Sequence, residues 1–194
     1  MNEFYKLKIN KNHVMKLPLV TTKDVSFYSF NLMGRQKINN VLAQDLYERI
    51  KANHINPTSI ITVESKAIGL VEHLAELLNV DRYIIVRKER KAYMDNPISS
   101  MSKSITSGKN IYWIDKSDLE YLENNDVIFC DDVISTGGTI EGVNALLEGY
   151  NVNVLSYVTA FTEGHDQDRF NGIDIIKIGS FPLPDSRNKG IKHD

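Results

Sequence analysis

Two adjacent carboxylates, Asp131 and Asp132, end the apolar run Val127-Ile128-Phe129-Cys130. Val133 and Ile134 follow, then the loop Ser135-Thr136-Gly137-Gly138-Thr139. Two glycines let backbone amides approach an anion closely, and three hydroxyls add donors. From Thr139 to Leu147 the apolar residues Ile140, Val143, Leu146 and Leu147 share one helical face. A helix N-terminus behind the loop adds aligned N–H dipoles. Acids beside a phosphate cradle would repel a bare anion. They suit a sugar phosphate, with the phosphate in the loop and the vicinal hydroxyls on Asp131 and Asp132. A Mg²⁺ would sit near both acids through those hydroxyls or through water. The plainer reading is a solvated turn with surface acids, and the strand–loop–helix context weighs against it. No Gly-Lys-Ser/Thr Walker loop and no GxGxxG is present at this place. Cys130 reads as strand core rather than nucleophile, because no basic residue neighbours it.

Two further clusters also follow apolar runs. Glu64-Ser65-Lys66 comes after Ser59–Val63 and opens a helical pattern. It reads either as an anion-binding turn or as a helix cap. Arg87-Lys88-Glu89-Arg90-Lys91 comes after Tyr83–Val86. It reads either as a solvated charged edge or as cations for a polyphosphate, where Arg supplies a fork and Lys a point charge.

These groups need elements to hold them. The chain has 194 residues, so one domain spanning 1–194 is expected. Hydrophobic residues are 42% and charged residues 25%, which excludes a largely disordered chain. Net charge is −2, which argues against a whole-surface grip on nucleic acid. One cysteine permits no internal disulfide, and five scattered histidines give no zinc spacing. The N-terminus carries no apolar signal core, and no run approaches a membrane span, so a cytoplasmic protein without membrane contact is expected.

Strands are expected at Val25–Phe30, Ser59–Val63, Tyr83–Val86, Ile111–Ile114, Val127–Cys130, Val152–Phe161 and Ile173–Ile178. Helices are expected at Arg35–Asn53, Ala67–Leu78 and Thr139–Leu147. The nearly unbroken apolar run Ser59–Val63 suits a strand buried on both faces. The alternation implies an α/β fold, a mostly parallel sheet flanked by helices. Ligands of such sheets sit outside the carboxyl ends of the strands. Residues 88–110 are polar, with Pro97 inside, and read as a functional lid or a disordered stretch.

The segment Val127–Thr139 closely resembles the phosphoribosyl pyrophosphate signature of the type I phosphoribosyltransferases: apolar strand, two acids, two mostly apolar residues, then Ser/Thr-Thr-Gly-x-Thr. Every position matches. The resemblance spans about Val25 to Thr162. It implies the type I phosphoribosyltransferase fold with a small N-terminal hood over residues 1–34 and a mobile catalytic loop within 88–110. It assigns the sugar's 5′-phosphate to Ser135, Thr136, Gly137, Gly138 and Thr139, and a catalytic role with Mg²⁺ to Asp131 and Asp132. It assigns pyrophosphate to Glu64, Ser65 and Lys66, where Ala67 replaces the usual Gly and leaves the backbone less free. Arg87, Lys88 and Lys91 fit the family's Arg-Lys-x-x-Lys pattern at the same subsite.

The resemblance is to the purine branch, the adenine and xanthine phosphoribosyltransferases. It implies transfer of ribose 5-phosphate from phosphoribosyl pyrophosphate to a purine base, releasing pyrophosphate, in purine salvage, by a homodimer. Phe27 or Phe30 would stack on the base, with alternate-residue core packing as the competing reading. Adenine enzymes usually carry Glu-Tyr-Gly in the mobile loop; here Thr106-Ser107-Gly108 stands there. That departure leaves open a xanthine or guanine enzyme. It also leaves open a regulator that binds phosphoribosyl pyrophosphate without turnover, although no helix-turn-helix and no basic surplus is read in the sequence.

Overall fold

The computed structural model describes residues 3–23, 25–101, 110–164 and 168–184. The N-terminus forms three antiparallel strands, β1 (Phe4–Lys8), β2 (Val14–Thr21) and β3 (Ser26–Tyr28). In β1 and β2, Leu7, Met15 and Leu17 face inward while Lys6, Lys8 and Lys16 face out, the two-residue period of a half-buried sheet. The expected strand over Val25–Phe30 is therefore β3, and it belongs to this small sheet rather than to the parallel one.

The remaining elements are α1 (Gln36–Ala52), β4 (Ser59–Val63), α2 (Ile68–Leu78), β5 (Tyr83–Val86), β6 (Pro97–Met101), β7 (Ile111–Asp115) and α3 (Lys116–Leu122). They continue with β8 (Asp126–Ile134), α4 (Gly138–Leu147), β9 (Asn153–Glu163), β10 (Arg169–Phe170) and β11 (Ile173–Phe181). The main sheet has the order β10-β11-β9-β8-β4-β5. Its strands β11, β9, β8, β4 and β5 run parallel, and β10 turns back against β11. As expected, β4 is buried along its whole length.

Two apolar clusters cover the two faces of this sheet. One joins α1, α2 and the N-terminal sheet through Leu42, Leu46, Leu70, Leu74 and Leu17 to Ile128, Cys130 and Val158. The other joins β7, α3 and α4 through Tyr112, Leu119, Ile140 and Val143 to Val127, Phe129 and Tyr157. The residues expected to form a hood are thus tied into the main core by their inner face.

One expectation is corrected. Ile111–Asp115 is not a strand of the main sheet. It pairs antiparallel with β6, and only a single bridge, Arg87 to Trp113, ties it to the end of β5. The polar stretch 88–110 also contains regular structure, since Pro97–Met101 is strand β6. Ser99 and Ser100 hide that strand from a hydrophobic pattern, and Ser100 instead donates to the Gly142 carbonyl of α4 at 2.5 Å. Thr106-Ser107-Gly108 lies outside the described residues.

Candidate active site

The sequence-predicted groups converge at the carboxyl ends of β4, β5, β8 and β9. Asp131 and Asp132 lie within β8, near its end. The loop Ser135–Thr139 then turns into α4. Gly137 sits at φ +83, in the left-handed region that favours glycine, and caps the helix. Asp131, Ser135, Thr136, Gly137, Gly138 and Thr139 line one small cavity of about 150 Å³. A wider groove of about 660 Å³ runs along α4 past Met101, Asn144 and Ile173, but it holds neither the acids nor the loop.

The acids are held under electrostatic pressure. Burial, then the neighbouring Asp132, push the Asp131 carboxyl well above the usual carboxylate range. Burial also raises Asp132, against the opposing charge of Lys66. Asp132 Oδ2 is buried and accepts no hydrogen bond, and Lys66 Nζ stands 3.8 Å from it. A buried carboxylate oxygen without a donor gains when sugar hydroxyls or a hydrated dication arrive. Burial and both aspartates push the Cys130 thiol up, so Cys130 is strand core, as its sequence context implied.

The second group is organised by Glu64. Its Oε1 accepts the Lys88 backbone N–H at 2.8 Å and lies 3.5 Å from Lys91 Nζ. Its Oε2 accepts from Arg87 Nη1 at 3.3 Å. Burial would raise the Glu64 carboxyl, but the Lys88 amide, Arg87 and Lys91 overcome it and leave it below its usual range. Glu64 is expected among the pyrophosphate ligands. A carboxylate cannot attract that anion, and here it gathers the cations that could. Arg87 and Lys91 are therefore brought together on Glu64, while Lys88 joins it through its backbone N–H and its charge acts on Asp131.

The Glu64–Ser65 peptide is cis. Ala67 takes φ −83 and ψ −10 as the cap of α2, a conformation open to any residue, so the missing glycine does not restrict this turn. The exposed Ser65 hydroxyl meets the Met33 sulfur at 3.4 Å. Lys66 Nζ donates to the Phe30 carbonyl at 3.2 Å, between the turn and Asp132.

The two aromatic candidates for base stacking are placed less favourably. Phe30 is 2% exposed, wedged edge-on against Phe161 and stacked near Phe181, so it offers no ring face to a ligand. Phe27 is half-buried in β3, paired with Val20. The core reading fits Phe30.

Three site neighbours escaped the sequence reading. Glu163 ends β9 beside the phosphate loop, where Ser135 and Lys66 act on its half-buried carboxyl; burial raises it above its usual range despite both. It follows an apolar strand as Glu64 and Asp131 do, and that signal could have found it. Tyr112 and Phe170 come from β7 and β10 and touch the loop only through the fold. Nothing in the local sequence marks either.

The family model of the phosphoribosyl transferase domain matches residues 33–178. The chain belongs to that family. The probable purine biosynthesis transcriptional regulator PurR of Streptococcus pneumoniae is 26% identical over 133 residues, covering 69% of this chain and 48% of the regulator. The chain thus spans about half the length of that relative. The adenine phosphoribosyltransferase of Mycoplasma capricolum is 28% identical over 121 residues, 61% of this chain and 68% of that protein. Among solved structures, the adenine phosphoribosyltransferase of Thermoanaerobacter pseudethanolicus superposes with a TM-score of 0.71 at 22% identity, covering 85% of this chain and 95% of that one. The type I phosphoribosyltransferase fold expected from the signature is the fold observed. No helix among the described residues is long and apolar enough to cross a membrane.

Proposed function

We propose that the protein is a purine phosphoribosyltransferase of adenine type, serving purine salvage. It would join a ring nitrogen of the base to C1 of phosphoribosyl pyrophosphate and release pyrophosphate. The observation that carries this reading is the arrangement of three subsites at one sheet end. The Ser135–Thr139 cradle, with left-handed Gly137, takes the 5′-phosphate. The half-buried Asp131 and the buried Asp132 accept the ribose hydroxyls. Lys66 and the cluster gathered by Glu64 face the pyrophosphate.

Breaking the C1–pyrophosphate bond leaves positive charge on the sugar and places two electrons on the departing oxygen. Asp131 and Asp132 stabilise the first, and Arg87, Lys88, Lys91 and Lys66 the second. Holding the phosphate and both hydroxyls fixes C1 between base and leaving group. The base nitrogen forms the new C–N bond to C1, and its ring proton passes to the departing pyrophosphate, which carries away the electron pair of the broken C–O bond. No covalent enzyme intermediate is required.

The donor set fits Mg²⁺. Two adjacent carboxylates, the buried Asp132 with an oxygen that accepts no hydrogen bond and the half-buried Asp131, suit a hard cation completed by ligand oxygens and water. Among the described residues no cluster of three acids, histidines or cysteines could form a protein cage. Bound there, Mg²⁺ would neutralise pyrophosphate charge. Small-molecule substrates are the expected partners. A homodimer in the cytoplasm, without nucleic acid or membrane contact, completes the proposal.

Likeness to regulators as well as enzymes supports a second reading, a binder of phosphoribosyl pyrophosphate that does not turn it over. One experiment separates the two: a panel of purine and pyrimidine bases assayed with phosphoribosyl pyrophosphate for pyrophosphate release. Release with adenine supports the adenine-type enzyme. Release with xanthine, hypoxanthine or guanine alone moves the assignment to the neighbouring branch. Tight binding of phosphoribosyl pyrophosphate with no release for any base supports the regulator.

A further inference from the structure

The phosphate loop is pressed from two sides by aromatic side chains that come from outside it. On one side, the Phe170 ring of β10 fills the space beside Gly137. A Cβ on Gly137 would stand only 2.0 Å from Cε2, 2.5 Å from Cζ and 2.8 Å from Cδ2 of that ring. Phe170 is itself braced edge-on by Tyr157, with ring centroids 6.1 Å apart, and Tyr157 by Phe129 of β8 at 6.3 Å. On the other side, Tyr112 of β7 is fully buried against α4. A Cβ on Gly142 would fall on its Cδ2 and Cε2. The Tyr112 hydroxyl lies against Thr139, the last hydroxyl of the loop. Beside it, Ser100 ties β6 to the Gly142 carbonyl at 2.5 Å. Both glycines leave out a side chain where an aromatic ring stands.

We propose that Phe170 and Tyr112 are positioning residues that hold the Ser135–Thr139 loop in its anion-binding shape before the 5′-phosphate arrives. This rests on reading that loop as the 5′-phosphate cradle. Phe170 holds the left-handed turn at Gly137, which aims the following amides into the cavity. The Tyr112 hydroxyl accepts from Thr139 and fixes the end of the loop against α4, whose Gly142 its ring covers. Paired hydroxyls of this kind polarise one another. A loop shaped in advance loses less entropy when the phosphate binds.

The test compares Phe170→Ala, Phe170→Leu and Tyr112→Phe with the wild type. Tyr112→Phe keeps the ring on Gly142 and removes only the hydroxyl, so it is expected to fold. Calorimetry measures ribose 5-phosphate and adenosine monophosphate, and inhibition kinetics measure pyrophosphate. Circular dichroism and thermal melts confirm folding. Both phosphate esters should weaken about five- to tenfold in Phe170→Ala and Tyr112→Phe. Phe170→Leu should recover part of the loss, and the pyrophosphate inhibition constant should stay within twofold. Unchanged ester affinities in the folded variants would overturn the clamp. An equal weakening of all three ligands would also overturn it, marking a merely structural role. Gly137→Val serves as the control on the cradle. If Gly137→Val loses the esters while Phe170→Ala and Tyr112→Phe keep them, the clamp fails alone. If the wild type binds neither ester, the cradle reading fails and the clamp with it.

Discussion

Phe170 and Gly137 compete for one volume: the ring stands where any side chain at residue 137 would begin. Gly137 is therefore required twice, by its φ of +83 and by this ring. The two requirements separate experimentally. Gly137→Ala costs about 1–2 kcal/mol from the left-handed backbone alone, and more from displacing Phe170. In Gly137→Ala/Phe170→Ala the ring is absent and only the backbone cost remains. The double-mutant cycle, read by denaturant melts, should show the two substitutions costing less together than their sum. Simple additivity would mean the ring yields freely.

The acids lend themselves to a direct assay. Asp131→Asn with Asp132→Asn removes two carboxylates that burial disfavours, Asp131 also through the neighbouring Asp132 charge. Stability should hold or rise, while kcat/KM falls by 10²-fold or more, roughly 2.7 kcal/mol of lost transition-state stabilisation. Near-normal turnover in the folded double mutant would remove both residues from the mechanism.

The parts of the site that were readable in the sequence are those whose chemistry is local. Asp131 to Thr139 carry their strand, acids, loop and helix within one short segment, so type and spacing suffice. β4 and β5 are legible to the residue because Ser59–Val63 and Tyr83–Val86 are mostly apolar and β-branched and are bounded by polar turns. In the N-terminal hairpin the strand signal is the alternation of Leu7 between Lys6 and Lys8, too short within a charged segment to mark two paired strands. For Phe30, alternation shows that a face is buried but not which layer buries it, and Phe161 and Phe181, far along the chain, decide that. Phe170, Tyr112 and the convergence of Arg87 and Lys91 on Glu64 depend on crossovers that no local window contains.

Lys66 stands 3.2 Å from the Phe30 carbonyl and 3.8 Å from Asp132. Lys66→Ala should weaken pyrophosphate inhibition about tenfold, the scale of one charge-assisted contact, while nucleoside monophosphate affinity changes little. Asp132 also loses its opposing charge, so its carboxyl should titrate higher in the mutant. Product-inhibition kinetics check the first effect, and carboxyl chemical shifts across a pH series check the second. A mutant that melts earlier with the pyrophosphate constant unmoved would make Lys66 a helix-cap residue.

Glu64 has a depressed carboxyl pKa, so the folded state binds its proton less readily than the unfolded chain. Its contribution to stability is present above the unfolded value of 4.5 and is lost as pH falls below it. Glu64→Gln should therefore destabilise the protein by about 1.5–3 kcal/mol at pH 7, the worth of hydrogen bonds to a charged group. The difference from wild type should shrink toward pH 3. Denaturant melts at both pH values test this. A constant difference would mean that shape, not charge, holds Glu64 to Lys88.

Glu163 carries the opposite sign. Burial raises its carboxyl above 4.5, with Ser135 and Lys66 only partly offsetting the cost. The folded state then binds the proton more readily than the unfolded chain, so this group lowers stability as pH rises from the unfolded value through the raised folded one. Glu163→Gln removes the charge and keeps the size. Relative to wild type, the mutant should gain stability at pH 8 and gain little or nothing at pH 4. It should also hold the phosphate esters more tightly at pH 8, because the carboxylate beside Ser135 repels the same anion that the loop attracts. Melts and calorimetry at the two pH values give both readouts. A pH-independent difference would show that Glu163 does not titrate in the folded protein over this range. A weaker grip on the esters would mean that its carboxylate orders Ser135 for the phosphate more than it repels it.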